Sequence, residues 1–125
     1  MGDEHIEEFT HAGKSFIYID FSDVKTNEKF IELLKVSRAI IEKYPENSLY
    51  TIANLENSRF DAESKKNILE YLEYNKPYVK HSAIIGFDGI KKIMVSTVFK
   101  QSGRDNLLFA FSKEQAIELL LGNEY

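Results

Sequence analysis

Two short stretches carry the residue types on which chemistry could be built: Ser22-Asp23 and Gly86-Phe87-Asp88-Gly89. A glycine-flanked turn running into a helix presents backbone N–H groups that can hold an anion. Asp88 competes with that reading, because as an N-cap its own carboxylate would occupy the same position and repel a second negative charge. Turn glycine plus helix cap is the weightier of the two readings. Catalysis has less footing. Ser22 beside Asp23 has no histidine that the sequence can place next to it. The three histidines, His5, His11 and His81, fall in no HxH or HExxH spacing and have no cysteine companions, so neither a metal nor a cofactor is expected. A receiver-type phosphoacceptor aspartate should end the third strand, where Gly86 stands instead.

Charge is unevenly spread. From Lys76 to Arg104 six basic residues face one acid, Asp88, a balance of +5, while the remainder of the chain carries 10 basic and 19 acidic residues. Lys91, Lys92, Lys100 and Arg104 form a candidate basic face for an anionic partner such as a headgroup, a nucleotide or an acidic protein surface. The plainer alternative is a solvated helix side whose lysines pair with acids elsewhere. Tyr71, Tyr74 and Tyr78 gather with Phe60 around one helix, either as a wall of an apolar pocket or interface or, more commonly, as rings that flank a core with hydroxyls in water.

The elements that must position these residues follow from spacing. Ser15 to Phe21 is a strand apolar on both parities, as a strand covered on both faces should be. His5 to Thr10 is a candidate edge strand or arm, its charges at Glu7 and Glu8 suiting an exposed edge. Phe30, Leu33, Leu34, Ile40, Ile41 and Tyr44 then follow helical spacing after a Thr26 or Asn27 cap, and Pro45 ends the run. Leu49 to Asn54 is the second strand. Asp61 caps a helix bearing Ile68, Leu69 and Leu72, stopped at Asn75-Lys76-Pro77. Ser82 to Gly86 is the third strand, followed by a helix with Ile90, Ile93, Met94, Thr97 and Val98 expected inward and Gly103 at a left-handed C-cap. Leu107 to Phe111 leads through a Ser112/Gln115 capping box to a last helix with Ala116, Ile117, Leu120 and Leu121 inward. Strands alternating with helices predict one α/β domain over residues 1–125, with a mainly parallel four- to five-stranded sheet and helices on both faces.

At 125 residues, 43% hydrophobic and 29% charged, the composition is that of an ordinary globular domain. No apolar run approaches the roughly 20 residues a bilayer span needs, so stable membrane insertion is not expected. The acidic N-terminus, Met-Gly-Asp-Glu-His, lacks the pattern of a signal peptide, and the absence of cysteine is compatible with the cytoplasm, the compartment expected. A net charge of −4 argues against nucleic acid.

The wording NKPYVKHSAIIGFDGIKKIMVSTVFKQSGRDNLLFAFSKEQAIELL, from Asn75 to Leu121, together with the order of elements from Gly13 on, resembles the SpoIIAA-like branch of the STAS domain family of small bacterial domains. The resemblance implies a central strand order of second, first, third, fourth (2-1-3-4), with the N-terminal segment as an antiparallel edge. Members that antagonise anti-sigma factors are switched by phosphorylation of a serine just after an aspartate at the start of the second helix. Matching that aspartate to Asp61 puts Ala62 at the serine position, leaving Ser64 as the only nearby substitute. In the implied order the first and third strands are neighbours, and a crevice at their carboxyl ends would be lined by Phe21, Ser22, Asp23, Gly86, Phe87, Asp88 and Gly89. The function expected is a non-enzymatic regulatory or ligand-binding module that recognises a protein partner or a small anionic ligand through this crevice and the basic helix. The alternative is a carrier or sensor of a lipid or other hydrophobic small molecule, with Phe21, Phe87, Met94 and Phe99 lining a void. Leu119 on the last helix marks a candidate homodimer strip.

Overall fold

A computed structural model describes residues 5–59 and 61–122. Five strands and four helices follow one another as β1 (Ile6–His11), β2 (Lys14–Asp20), α1 (Asn27–Ile41), β3 (Leu49–Asn54), α2 (Ala62–Asn75), β4 (Val79–Ile85), α3 (Gly89–Gln101), β5 (Leu107–Phe109) and α4 (Lys113–Gly122). Phe60 and residues 1–4 of the expected N-terminal arm lie outside the described residues.

All five strands form one sheet in the order β1-β2-β3-β4-β5. The hairpin β1-β2 is antiparallel, turning through Ala12 and Gly13 at positive φ. The pairings β2-β3, β3-β4 and β4-β5 are parallel. The sheet is therefore mixed rather than mainly parallel, and the expected 2-1-3-4 order gives way to one that steps in a single direction. The physical consequence is large. When each right-handed crossover advances the sheet the same way, successive helices land on the same face. Helices α1, α2 and α3 accordingly share one core with Ile17, Ile19, Leu49 and Ile84, to which they contribute Phe30, Leu33, Leu34, Leu72, Val95, Val98 and Phe99. The opposite face is covered by α4, whose Ala116 and Leu120 pack on Phe16, Tyr50, Ile52, Ala83 and Ile85. Helices thus lie on both faces, but three against one.

The caps follow the residue chemistry. Thr26, Asp61 and Asp88 accept backbone N–H bonds from Lys29, Glu63 and Lys91, which satisfies donors that each helix start would leave bare. At α4, Ser112 Oγ accepts from the Gln115 N–H, while the Gln115 side chain accepts from the Phe111 N–H, one residue earlier than the capping-box pattern predicts. The inward face of α3 differs from the expected one. Val95, Val98 and Phe99 are buried, with Met94 packed beside them, whereas Ile90 and Ile93 are 81% and 70% exposed and Thr97 is exposed.

Candidate functional site

The residues expected at the strand ends do not meet in a crevice. Strands β2 and β4 are separated by β3, and with three crossovers on one face there is no reversal of order at which a crevice would open. The loop after β3 fills the space instead. Asp23, at positive φ, donates its N–H to the Glu56 carbonyl and accepts from the Asn57 side chain. Ser22 donates its N–H to the Asp20 carboxylate. Gly86 has φ +67°, and a Cβ there would run into Asn54 Oδ1 and stand 2.6 Å from the Glu56 nitrogen. Phe87 packs edge-on to Phe109 with centroids 4.9 Å apart, Asp88 caps α3, and Gly89 is exposed.

The four cations of the expected basic face point to different surroundings. The Lys91 ammonium reaches back to the Leu55 carbonyl at 3.1 Å, Lys92 lies over the rings of Phe87 and Phe109, and Lys100 is exposed. Arg104 is only 5% exposed. Ser64 is fully buried in the first turn of α2, its hydroxyl 2.6 Å from the Asn27 side chain. Leu119 is 43% exposed on α4. His5 bonds the Asp20 carbonyl, His11 lies edge-on to Phe16, and His81, inside β4 rather than ahead of it, stacks on Tyr50. Among the described residues no group of three or more histidine, aspartate or glutamate side chains converges as a metal site would require.

A different set of residues does converge. Between the sheet and α1–α3 lies a cavity of about 70 Å³ with mostly apolar walls, among them Phe21, Phe30, Ile68, Ile84, Val95 and Phe99. Its polar groups are Thr51, Tyr71, Asn75, Ser82 and Arg104, and Arg104 is the only charged residue among the described ones that line it. Each is placed by an identifiable local device. Thr51 and Ser82 are register partners on β3 and β4, facing the helices, with their hydroxyl oxygens 2.7 Å apart. At the end of α3 the Gly103 N–H donates to the Lys100 carbonyl and the Arg104 N–H to the Phe99 carbonyl. This double bond pattern is the Schellman motif, which needs a left-handed residue at the position of Gly103, φ +79°. The reversal turns Arg104 under the sheet, with its guanidinium 4.9 Å from the Phe99 ring centroid.

There Arg104 donates from Nη2 to Ser82 Oγ at 2.9 Å and from Nε to Asn106 Oδ1 at 3.1 Å. No described carboxylate pairs with it. Burial pushes its pKa down to about 10, opposed by the neighbouring Tyr71, and at neutral pH the group remains a cation. Asn75 closes α2, is 1% exposed, and has no hydrogen-bond partner for either side-chain amide atom. Tyr71 keeps part of its ring at the surface while its hydroxyl meets the buried Ser37 at 2.9 Å. Burial pushes that hydroxyl up to about 12, tempered by Ser37, by the charge of Arg104 and by the adjacent Asn75 amide, which lies close without reaching bonding geometry with it. On the outside, a shallow groove between α1 and α2, bordered by Ile31, Lys35, Arg38 and Asn67, shares Leu34 and Tyr71 with the cavity.

Of these residues Phe21 and Phe99 line a void as expected, whereas Phe87 and Met94, expected beside them, do not line it; of the polar ones only Arg104 and the Tyr71 cluster stand out in the sequence, and Arg104 reads there as part of an exposed face. The signals that point to the site are Gly103 as a C-cap, which forces the next residue back toward the core, and the polar Thr51 and Ser82 on strands otherwise apolar. Compared with models of known families the chain matches none, and no curated protein matches it.

Proposed function

We propose that this chain is a non-enzymatic, STAS-like regulatory module that binds a small, largely apolar molecule inside the cavity beneath α1–α3 and acts in the cytoplasm by what that occupancy does to its surface. The observation that carries the reading is a cavity that combines apolar walls with an arginine that has no counter-ion among the described residues and an amide that has no hydrogen-bond partner among them. Leaving a buried amide unsatisfied costs about 1–3 kcal/mol, and burying an unpaired cation costs several more. A fold that keeps both in one place is explained if another molecule completes them. Tyr71 and Leu34, shared by the cavity and the outer groove, are the natural door.

The reading is tested by titrating methyl-labelled protein with 1-butanol, a neutral probe small enough for the cavity, and following the methyl resonances. Saturable shifts centred on Leu34, Ile84 and Val95 are expected. Shifts that never saturate, or that fall only on surface methyls such as those of Ile90, overturn it.

A further inference from the structure

We propose that the cavity is built for a monocarboxylate: an acid of about two to four carbons whose carboxylate sits against Arg104 and whose alkyl part lies among Phe21, Phe30, Ile68 and Val95. This rests on the cavity being a ligand site and adds the chemical class of the ligand.

Three features select the head group. The first is charge. One cation lines the cavity, and no acid among the described residues does, so a monoanion brings the site to neutrality, whereas a doubly charged phosphate would leave a buried surplus. Water can satisfy an amide but cannot neutralise a guanidinium.

The second is geometry. A guanidinium presents five N–H donors in a planar fork that matches a carboxylate two bonds at a time. Among the described residues two of the five are engaged, by Ser82 and Asn106.

The third is the neutral remainder. Asn75 has a free amide N–H pair, and the hydroxyls of Thr51 and Ser82 already bond each other and can turn a hydrogen toward an added oxygen. Tyr71, like any tyrosine hydroxyl, is protonated at neutral pH. Arg104, Asn75, Tyr71 and one hydroxyl of the Thr51–Ser82 pair can therefore donate to an anion, and none needs to lose a proton to do so. Size sets the chain length. At about 70 Å³ the space is roughly half that of a cavity known to admit benzene, so a longer fatty chain does not fit without opening the helices.

The test compares sodium butyrate with butyramide, its neutral isostere, by calorimetry at neutral pH on the whole chain, in the native protein, in Arg104→Met and in Ser82→Asp. Ser82→Asp places a carboxylate within reach of the guanidinium, so an internal anion competes with the added one. Circular dichroism checks that each variant is folded, and if Arg104→Met is not, Ser82→Asp still decides. The expected result is butyrate binding at least tenfold tighter than butyramide, with that preference lost in both variants. Equal affinity for the two probes, or a butyrate preference that survives in the folded variants, overturns the carboxylate assignment while leaving a ligand-binding cavity in place. Absence of binding by butyrate, butyramide and 1-butanol alike overturns both.

Discussion

At the residue scale, the polar groups of the cavity trade stability for function. Arg104 is held as a cation where burial disfavours it, so Arg104→Met, which keeps the stem and removes the charge, is expected to raise the unfolding free energy by about 1–3 kcal/mol while abolishing butyrate binding. Urea denaturation reads this directly, and a destabilised variant would contradict the trade of stability for function at Arg104. Titration supplies a second prediction. The Tyr71 hydroxyl is raised from 10.0 to about 12 in the fold. Below pH 10 folded and unfolded chains both keep that proton. Between pH 10 and 12 the unfolded chain releases it first, so stability falls as pH rises, by about 2–3 kcal/mol for this group. Arg104, lowered to about 10 from 12.5, works in the opposite sense over the same range, and Tyr44, raised to about 12 chiefly by burial, works with Tyr71. Because Arg104 opposes Tyr71 by a similar amount over this window, the test is the difference between proteins: Tyr71→Phe should shift the pH 10–12 slope toward greater stability at high pH, and an unchanged slope in Tyr71→Phe would contradict the burial of its hydroxyl. Gly86 is a third test. A methyl group there would meet the backbone of Glu56 in a conformation that side chains rarely adopt, so Gly86→Ala should cost about 2 kcal/mol or more. The strand order implied by the family resemblance made Gly86 the edge of an open crevice, and its residue type could not correct this, because a glycine that admits a ligand and a glycine that admits a neighbouring loop look the same in a sequence.

At the element scale, the site depends on how α3 begins and ends. Asp88 starts it and the Gly103 reversal ends it, both legible from residue type, because caps are local chemistry. Its rotation was not legible. The segment Gly89–Gln101 is apolar on more than one side, and the spacing of Ile90, Ile93, Met94 and Thr97 describes a helical stripe as well as that of Met94, Val95, Val98 and Phe99 does. Packing decides in favour of the second, with the Lys91 stem lying inward and its ammonium reaching the Leu55 carbonyl. Two measurements follow from this phase. Ile93→Ser, at a side chain 70% exposed, should change stability by less than about 0.5 kcal/mol. Gly103→Ala, which forces a side chain into the left-handed region, should cost about 1 kcal/mol and weaken butyrate binding, because the turn that aims Arg104 is the one disturbed. A large loss from Ile93→Ser would mean that α3 is turned the other way.

At the scale of the whole molecule, alternation of strands and helices made the α/β class and the two-faced covering readable, since each element is long enough to declare its period. Strand order was not readable in the same way. Short right-handed crossovers permit both a sheet that reverses and one that steps steadily, and the choice depends on which faces bury each other across the chain. That choice moved the site. A reversing order opens a crevice at the carboxyl ends of the strands; the stepwise order closes it and gathers three helices over one face, where Thr51, Asn75, Ser82 and Arg104 remain as the polar exceptions in an apolar layer. A ligand held there contacts the sheet and all three helices of that face at once, so occupancy should stabilise the entire domain: at a hundredfold excess over Kd, by about 2.7 kcal/mol, or roughly 10 °C in Tm. The most direct measurement is a high-resolution crystal structure of the protein grown with sodium butyrate. The account predicts density inside the cavity with a carboxylate at hydrogen-bonding distance, about 2.7–2.9 Å, from the Arg104 guanidinium. A cavity holding water alone, or one closed by inward movement of α2 with Arg104 turned out to solvent, would contradict it.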